Sequence, residues 1–328
     1  MTIQSIPEQA VLNVIKSMHW YVERSTGWAS VVPTASVPER RFNEFYRAPR
    51  AEPPGLAMTD SEIFPTGTFM ERYIAPNAYI ISDFDYPRAI IHLTESFGMP
   101  VLSQQSESIF KQFAMRAGQI VYQGTAAIEP ADAAGAPSRG VDLGMKGLYN
   151  IASPSGINTS TYTAVKWNAA FGPQNAIRNM AGLLEVDGHD GPWGCVLSTG
   201  LQDGMWYTIT NTAATNWTGV HEILQGTVSG PGGQSGGTVV WEGLGAENSW
   251  SASQIVYPLP AADSNDGVGI LVKSAPQNFQ ALIGVPPSID LGSMDTHGRT
   301  VPGKAVMQMG IIIPQPTAIC IHKTVDLA

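Results

Sequence analysis

Hydrophobic positions recur at helical spacing most continuously between Ser103 and Gly124 (SQQSESIFKQFAMRAGQIVYQG). Ile109, Phe113, Ala117 and Ile120/Val121 fall at i, i+4, i+8 and i+11/i+12, on one face of a helix. Phe110 and Ala114 widen that face, while Gln112, Arg116 and Gln119 fall elsewhere. Ser103 can cap the start, Glu107 lies in the first turn, and Gly124 can end the helix. An amphipathic helix lying on a core is the expectation. A shorter helix is predicted from Pro7 to Val22, with Val11, Val14/Ile15, Met18 and Val22 on its apolar face.

Between these helices the pattern changes. The stretch 31–55 holds Pro33, Pro38, Pro49, Pro53 and Pro54 with Arg40, Arg41, Arg47 and Arg50. It reads as an extended basic arm rather than a packed element. TFMERYI (68–74) and YIISDFDY (79–86) alternate apolar and polar, with Ala-Pro-Asn-Ala between them as a turn, and RAIIHLT (88–94) is a third run. Glu62–Pro100 is therefore expected to be a long hairpin or thin sheet. Such a protrusion has little core of its own and needs a neighbour to lie on. It is expected to be removable without unfolding the subunit.

After the long helix, 128–140 reads as a loop of small residues, and a short strand is expected over Tyr162–Trp167. PQNAIRNMAGLLEV has a second helical face of Ile177, Met180/Ala181 and Leu184. GPWGCVLST (191–199) is a buried strand, GLQDGMWYTI and VHEILQ are short helices, and GPGGQSGGTVVWEG (230–243) is a loop running into a strand. SQIVYPLP, GVGILVKSA, NFQALIGV, AVMQMGIII and TAICIHKTV make a β-rich end. The last two runs are apolar on both faces, which places them inside sheets rather than at edges.

Charge and chemistry narrow the function. Only 14% of the 328 residues are charged, and there are 34 Gly and 24 Pro. A surface this poor in charge suits a protein that hides much of itself against neighbours. Net charge is −9, and no Lys or Arg occurs from Asn179 to Val272, where Glu185, Asp187, Asp190, Asp203, Glu222, Glu242, Glu247, Asp263 and Asp266 lie. That half is excluded as a nucleic-acid-binding surface, since phosphate contacts come largely from Lys and Arg. The two cysteines, Cys195 and Cys320, sit in apolar runs and read as buried thiols. No secretory signal pattern and no apolar run of the ~20 residues a membrane span needs is visible.

Candidate sites are few. GPGGQSGGT (230–238) lacks the lysine of a phosphate loop. His189-Asp190 between glycines reads as a turn. The histidines at 19, 92, 189, 221, 297 and 322 form no metal-ligand pair. Asp83 and Asp85 share one strand face as outward polar positions. Ser198 and Ser235 lie in no nucleophile elbow. No catalytic, cofactor-binding or metal-ligating residue is assigned.

The order of elements resembles the Hong Kong 97-type fold shared by tailed-phage major capsid proteins and encapsulin shells. Three stretches carry the resemblance. IFKQFAMRAGQIVYQG followed by GLYN is similar to the family's spine helix ending in aromatic-x-Gly, then a Gly-Leu segment. NAIRNMAGLLEV followed by GPWGCVLST is similar to the apical-domain helix and strand, and GKAVMQMGIIIPQPTAICIHK to the closing strands. The resemblance implies an α+β fold with an N-terminal helix and arm (1–54), an extended loop (55–102), a peripheral domain with the spine helix (103–165), an apical domain (166–275) and peripheral closing strands (276–328). The spine helix's apolar face would then pack near Ile311–Ile313 and Ile319–Ile321.

It implies a non-enzymatic, cofactor-free major capsid protein, assembled in a host cytoplasm into an icosahedral virion shell of pentamers and hexamers. The partners implied are further copies of itself, with scaffold, portal and decoration proteins. The shell would enclose double-stranded DNA without sequence-specific binding and without a membrane. The absence of a long charged N-terminal scaffolding segment implies either a separate scaffold or a mature form of the chain, and the initiating Met1 favours the former or a simpler assembly. Lysine is absent between Lys16 and Lys111, which argues against a cross-linking lysine on the extended loop. Two alternatives stand beside this one. An encapsulin-like nanocompartment would hold a cargo enzyme. A β-rich carbohydrate-binding or hydrolytic protein, suggested by eight Trp, would be a monomer with an aromatic cleft.

Overall fold

The computed structural model describes residues 27–47, 71–87, 89, 113–125, 144–151, 158–160, 166–206, 215–225, 237–242, 244–245, 259–260, 266–292 and 300–326. The expected helix at 7–22, the 128–140 loop, most of the 88–94 run and the glycine-rich loop up to 236 lie outside the described residues.

Two main sheets organise the chain. The first has the order β1 (Thr34–Ser36), β11 (Gln280–Leu291), β12 (Thr300–Ile312), β4 (Ala78–Pro87). β11 and β12 form a long antiparallel hairpin, β4 runs antiparallel to β12, and β1 lies parallel to β11. The ladder slips twice between Ile283 and Ser288, where Pro286 and Pro287 cannot donate.

The second sheet has the order β5 (Asn158–Thr159), β13 (Ile319–Asp326), β10 (Asp266–Val272), β6 (Gly194–Ser198), β7 (Thr238–Glu242). A minor parallel pair, β8 (Leu244–Gly245) and β9 (Leu259–Pro260), lies apart from both. The second sheet separates two apolar cores. Val196, Ile270, Val272, Ile319 and Ile321 face the core shared with the first sheet, which the short α1 (Trp28–Val31) also enters. Cys195, Leu197, Leu271 and Cys320 face the other, under α3 (Gly172–Val186) and α5 (Asn216–Gln225). This accounts for the two-sided apolarity of TAICIHKTV, whereas AVMQMGIII turns Ala305, Met307, Met309, Ile311 and Ile313 to the shared core and Val306, Gln308, Gly310 and Ile312 to its other face. Both are interior strands, but they do not pair with each other: β12 lies in the first sheet and β13 in the second.

The second predicted helix is α3, and its expected face of Ile177, Met180, Ala181 and Leu184 is buried. The short helices appear as α4 (Gln202–Met205) and α5. Of the strand expected over Tyr162–Trp167, residues 162–165 lie outside the described residues, and Trp167 lies in a turn. Its indole Nε1–H donates to the Leu201 carbonyl at 2.6 Å, so a polar anchor sets its backbone.

Of the long predicted helix, 103–112 lie outside the described residues, and 113–123 (α2) is helical and ends at Gly124, whose φ is +70°. Phe113, Ala117, Ile120 and Val121 share one core cluster with Ile311, Ile313, Ile319 and Ile321. The amphipathic expectation holds only in part. Gln119 and Gln123 are buried too, with Arg116 Nη1 donating to Gln119 Oε1 at 2.7 Å. The helix end is clasped by residues 145–149. Leu148 N–H donates to the Val121 carbonyl (3.0 Å), Tyr149 N–H to the Tyr122 carbonyl (2.7 Å), and Thr125 N–H to the Met145 carbonyl (2.9 Å). A Cβ on Gly147 would lie 2.4 Å from the Tyr122 carbonyl group, and one on Gly124 would lie 2.2 Å from Met145 O. The aromatic-x-Gly and Gly-Leu sequence is thus the signature of two backbones in direct contact.

Candidate intersubunit surface

The arm is not free. β2 (Phe42–Arg47) pairs antiparallel with β3 (Glu71–Pro76) as a two-stranded ribbon, and β1 joins the first sheet. The expected hairpin between TFMERYI and YIISDFDY does not form. β3 and β4 follow one another through Asn77 but pair with different partners, β3 with β2 and β4 with β12. Propensity and alternation mark strands but not their partners, and Ala-Pro-Asn-Ala imitates a turn.

Asn77 makes the change of partner possible. Its backbone N–H donates to the Arg41 carbonyl (2.9 Å) and its Nδ2 to the Arg40 carbonyl (2.8 Å), while its Oδ1 accepts from Asn43 Nδ2 (2.5 Å). Gln308 Nε2 also donates to the Arg40 carbonyl at 2.9 Å. These buried amides tie the ribbon's base to β12. Gly310 leaves the room, since a Cβ there would lie 2.1 Å from Asn77 Oδ1.

The ribbon's two faces differ. On the inner face Phe45 stacks on Tyr73 with ring centroids 5.8 Å apart. The Arg47 guanidinium lies 4.0 Å from the Tyr73 centroid, and its Nε–H donates to the Ile313 carbonyl at 3.3 Å. Arg47 is therefore an anchor of the ribbon, not a free charge of a basic arm. Arg40 and Arg41 are exposed, and Arg50 lies outside the described residues.

On the outer face Phe42, Tyr46 and Ile74 are 58%, 60% and 58% exposed. An Arg72–Glu44 ion pair (2.5 Å) lies among them, itself exposed. The exposed apolar positions continue along β4 in Tyr79 and Ile81. Covering such half-exposed side chains is worth on the order of 1 kcal/mol each. Further along β4 the row turns polar. Asp83 stands opposite Lys304 in the ladder, and Lys304 stands opposite Asp290 on β11. These residues line a shallow cleft of about 440 Å3 together with Asp85 and Pro302. Asp83 and Asp85 are outward polar positions, as alternation predicts.

The other residues considered for chemistry are structural. Ser198 Oγ is buried and accepts the Val268 N–H at 3.2 Å, and Ser235 lies outside the described residues. Cys195 and Cys320 are both opposite Leu271 on neighbouring strands, and burial pushes the pKa of both thiols up to about 12. His189 bonds Thr317 Oγ1 at 2.9 Å, and burial, with Lys273 nearby, holds its imidazole below its ordinary pKa. Lys273 Nζ donates to the Gly191 carbonyl at 2.9 Å, so the His-Asp-Gly turn is pinned. No three His, Cys, Asp or Glu side chains among the described residues are grouped to hold a metal.

Among known proteins, no family model and no curated sequence matches this chain. Solved structures do. A virus-like particle from Pyrococcus furiosus aligns with a TM-score of 0.59 at 11% identity, covering 95% of this chain and 98% of that one. A structure of Mycobacterium phage Ogopogo aligns at 0.56 and 14% identity, covering 90% of each chain. This chain has the Hong Kong 97-type capsid fold. The capsid of a native GTA particle aligns at 0.55 and 11% identity, covering 94% of this chain and 90% of that one. Identities this low establish the fold alone, and the alignments run along most of both chains.

Proposed function

We propose that this chain is a major capsid protein of a tailed phage. It self-associates into an icosahedral shell of pentamers and hexamers around double-stranded DNA. The observation that carries this reading is the apolar outer face of the β2–β3 ribbon, held out by Asn77 and Arg47 on a capsid fold. A monomer gains nothing by presenting Phe42, Tyr46 and Ile74 to water on a stiff ribbon. Repeated over many copies, small apolar contacts close a shell. The chain has no catalytic role in this reading. Residues 55–102 serve as the extended loop, rooted in the first sheet by β4, 103–165 and 276–328 as the peripheral domain with α2 as its spine helix, and 166–275 as the apical domain. Assembly takes place in the host cytoplasm, with scaffold, portal and decoration proteins as further partners.

Negative-stain microscopy of the purified protein tests the proposal. Uniform shells are expected, and small globular particles at all concentrations and salt conditions tried refute it. Shells from phage-infected cells should contain nuclease-protected DNA. A co-purifying cargo enzyme in place of DNA identifies the encapsulin-type compartment.

A further inference from the structure

The α4–α5 region carries a second exposed feature, unrelated to the ribbon. Trp206 follows α4 directly and is 57% exposed. Its indole stacks on Trp217 of α5, with centroids 5.7 Å apart and planes 26° apart. Trp217 stacks in turn on His221, 6.3 Å away at 17°. Trp217 and His221 are one turn apart on α5, so their rings share a helix face. The result is a row of three nearly parallel rings, exposed both at Trp206 and at His221.

The row is built on a rigid base. Asn216 is fully buried, and its Nδ2 donates to the Gly204 and Ala169 carbonyls at 2.8 and 3.1 Å. Its Oδ1 accepts the Phe171 N–H at 2.9 Å. Trp167 holds Leu201 from below, and a Cβ on Gly204 would lie 2.3 Å from the Trp167 ring. α4 is thus fastened at both ends, and the orientation of Trp206 is set before any partner arrives.

Electrostatics indicate what fits. Asp203 lies one turn before Trp206 and is exposed. α4 and α5 themselves carry no Lys or Arg, and the basic residues on the elements beside them are Lys166, next to Trp167, and Arg178 on α3. An indole face beside a carboxylate attracts a cation, and a planar guanidinium both stacks on the ring and pairs with the carboxylate. We propose that Trp206, Trp217 and His221, with Asp203, form a docking platform for an arginine-bearing segment of a partner protein. The proposal is independent of shell formation, because its test reads binding rather than assembly.

The test is titration of the full-length protein with a hexa-arginine peptide, followed by calorimetry, alongside hexa-lysine and a neutral linear hexasaccharide. Hexa-arginine is expected to bind more tightly than hexa-lysine. Trp206→Ala should weaken the arginine peptide about fivefold or more, Trp206→Phe should keep most of the binding, and Asp203→Asn should weaken it. Asp83→Asn removes the same charge from the first sheet and should change nothing. Circular dichroism confirms that each variant is folded. An unchanged affinity in Trp206→Ala overturns the proposal, as does equal weakening by Asp83→Asn and Asp203→Asn, which reduces the effect to net charge. Hexasaccharide binding lost in Trp206→Ala, without arginine binding, reassigns the row to a glycan and also overturns it. So does self-association that Trp206→Ala abolishes while the peptide fails to bind.

Discussion

The most informative single perturbation is Glu242→Gln. Glu242 closes β7, and its carboxylate accepts a hydrogen bond from the Tyr122 hydroxyl at 3.1 Å. Tyr122 is fully buried in the last turn of α2. The bond therefore joins that helix to the edge of the second sheet. Burial pushes the Glu242 carboxyl up from 4.5 to about 7, although the Tyr122 hydrogen bond pulls the other way. The folded protein thus holds this proton more tightly than the unfolded chain does. Its contribution to stability is complete below about pH 4.5 and is lost as pH rises through about 7. A shift from 4.5 to about 7 corresponds to about 3 kcal/mol, at 1.36 kcal/mol per unit. The glutamine amide keeps an acceptor for Tyr122 and carries no charge at any pH. Glu242→Gln should therefore match the parent near pH 4 and exceed it by up to about 3 kcal/mol at pH 8.5. Urea unfolding of the subunit at pH 4, 6 and 8.5 measures this, with both proteins held in the same assembly state. A stability difference that does not change with pH would falsify this account, since a purely packing effect has no reason to titrate.

Three further perturbations probe the ribbon and the helix clasp. The pair Phe42→Ser and Ile74→Ser should leave the subunit folded, because both residues are more than half exposed, yet prevent shells in negative stain. Surface substitution is the sharper probe here, because deletion of 62–100, expected from the sequence to be harmless to the fold, would strip Tyr86 and Ile80 from the core and unfold the subunit. Arg47→Gln should release the ribbon's inner face, costing about 1–2 kcal/mol and raising proteolysis between 42 and 76; unchanged proteolysis would count against the anchor. Gly147→Ala should force its contact with Tyr122 apart and lower the melting temperature by several degrees, consistent with about 1–3 kcal/mol; an unchanged melting temperature would mean that the clasp yields freely.

Local signals made much of the architecture legible. α2, α3, the buried strand β6 and the interior strands β12 and β13 each declare themselves through periodicity or two-sided apolarity, because burial selects the side chains one position at a time. Gly124 and Gly147 were visible as a motif, and the structure supplies the reason: two backbones in contact. Strand pairing was not visible. β3 and β4 alternate as any half-buried strand does, and only the three-dimensional position of Asn77 sends one to the ribbon and the other to β12. Arg47 reads as one of four basic arm residues until Tyr73 and the Ile313 carbonyl, far away in sequence, take it up. Gln119 falls off the apolar face on a helical wheel, yet it is fully buried, with Arg116 Nη1 donating to its Oε1. The elements and the scarcity of chemistry could be read from residue order, because they depend on neighbours within a few positions. Which surfaces stay uncovered, Phe42, Tyr46 and Ile74 among them, was settled only on folding, because exposure depends on what packs on a strand from hundreds of residues away.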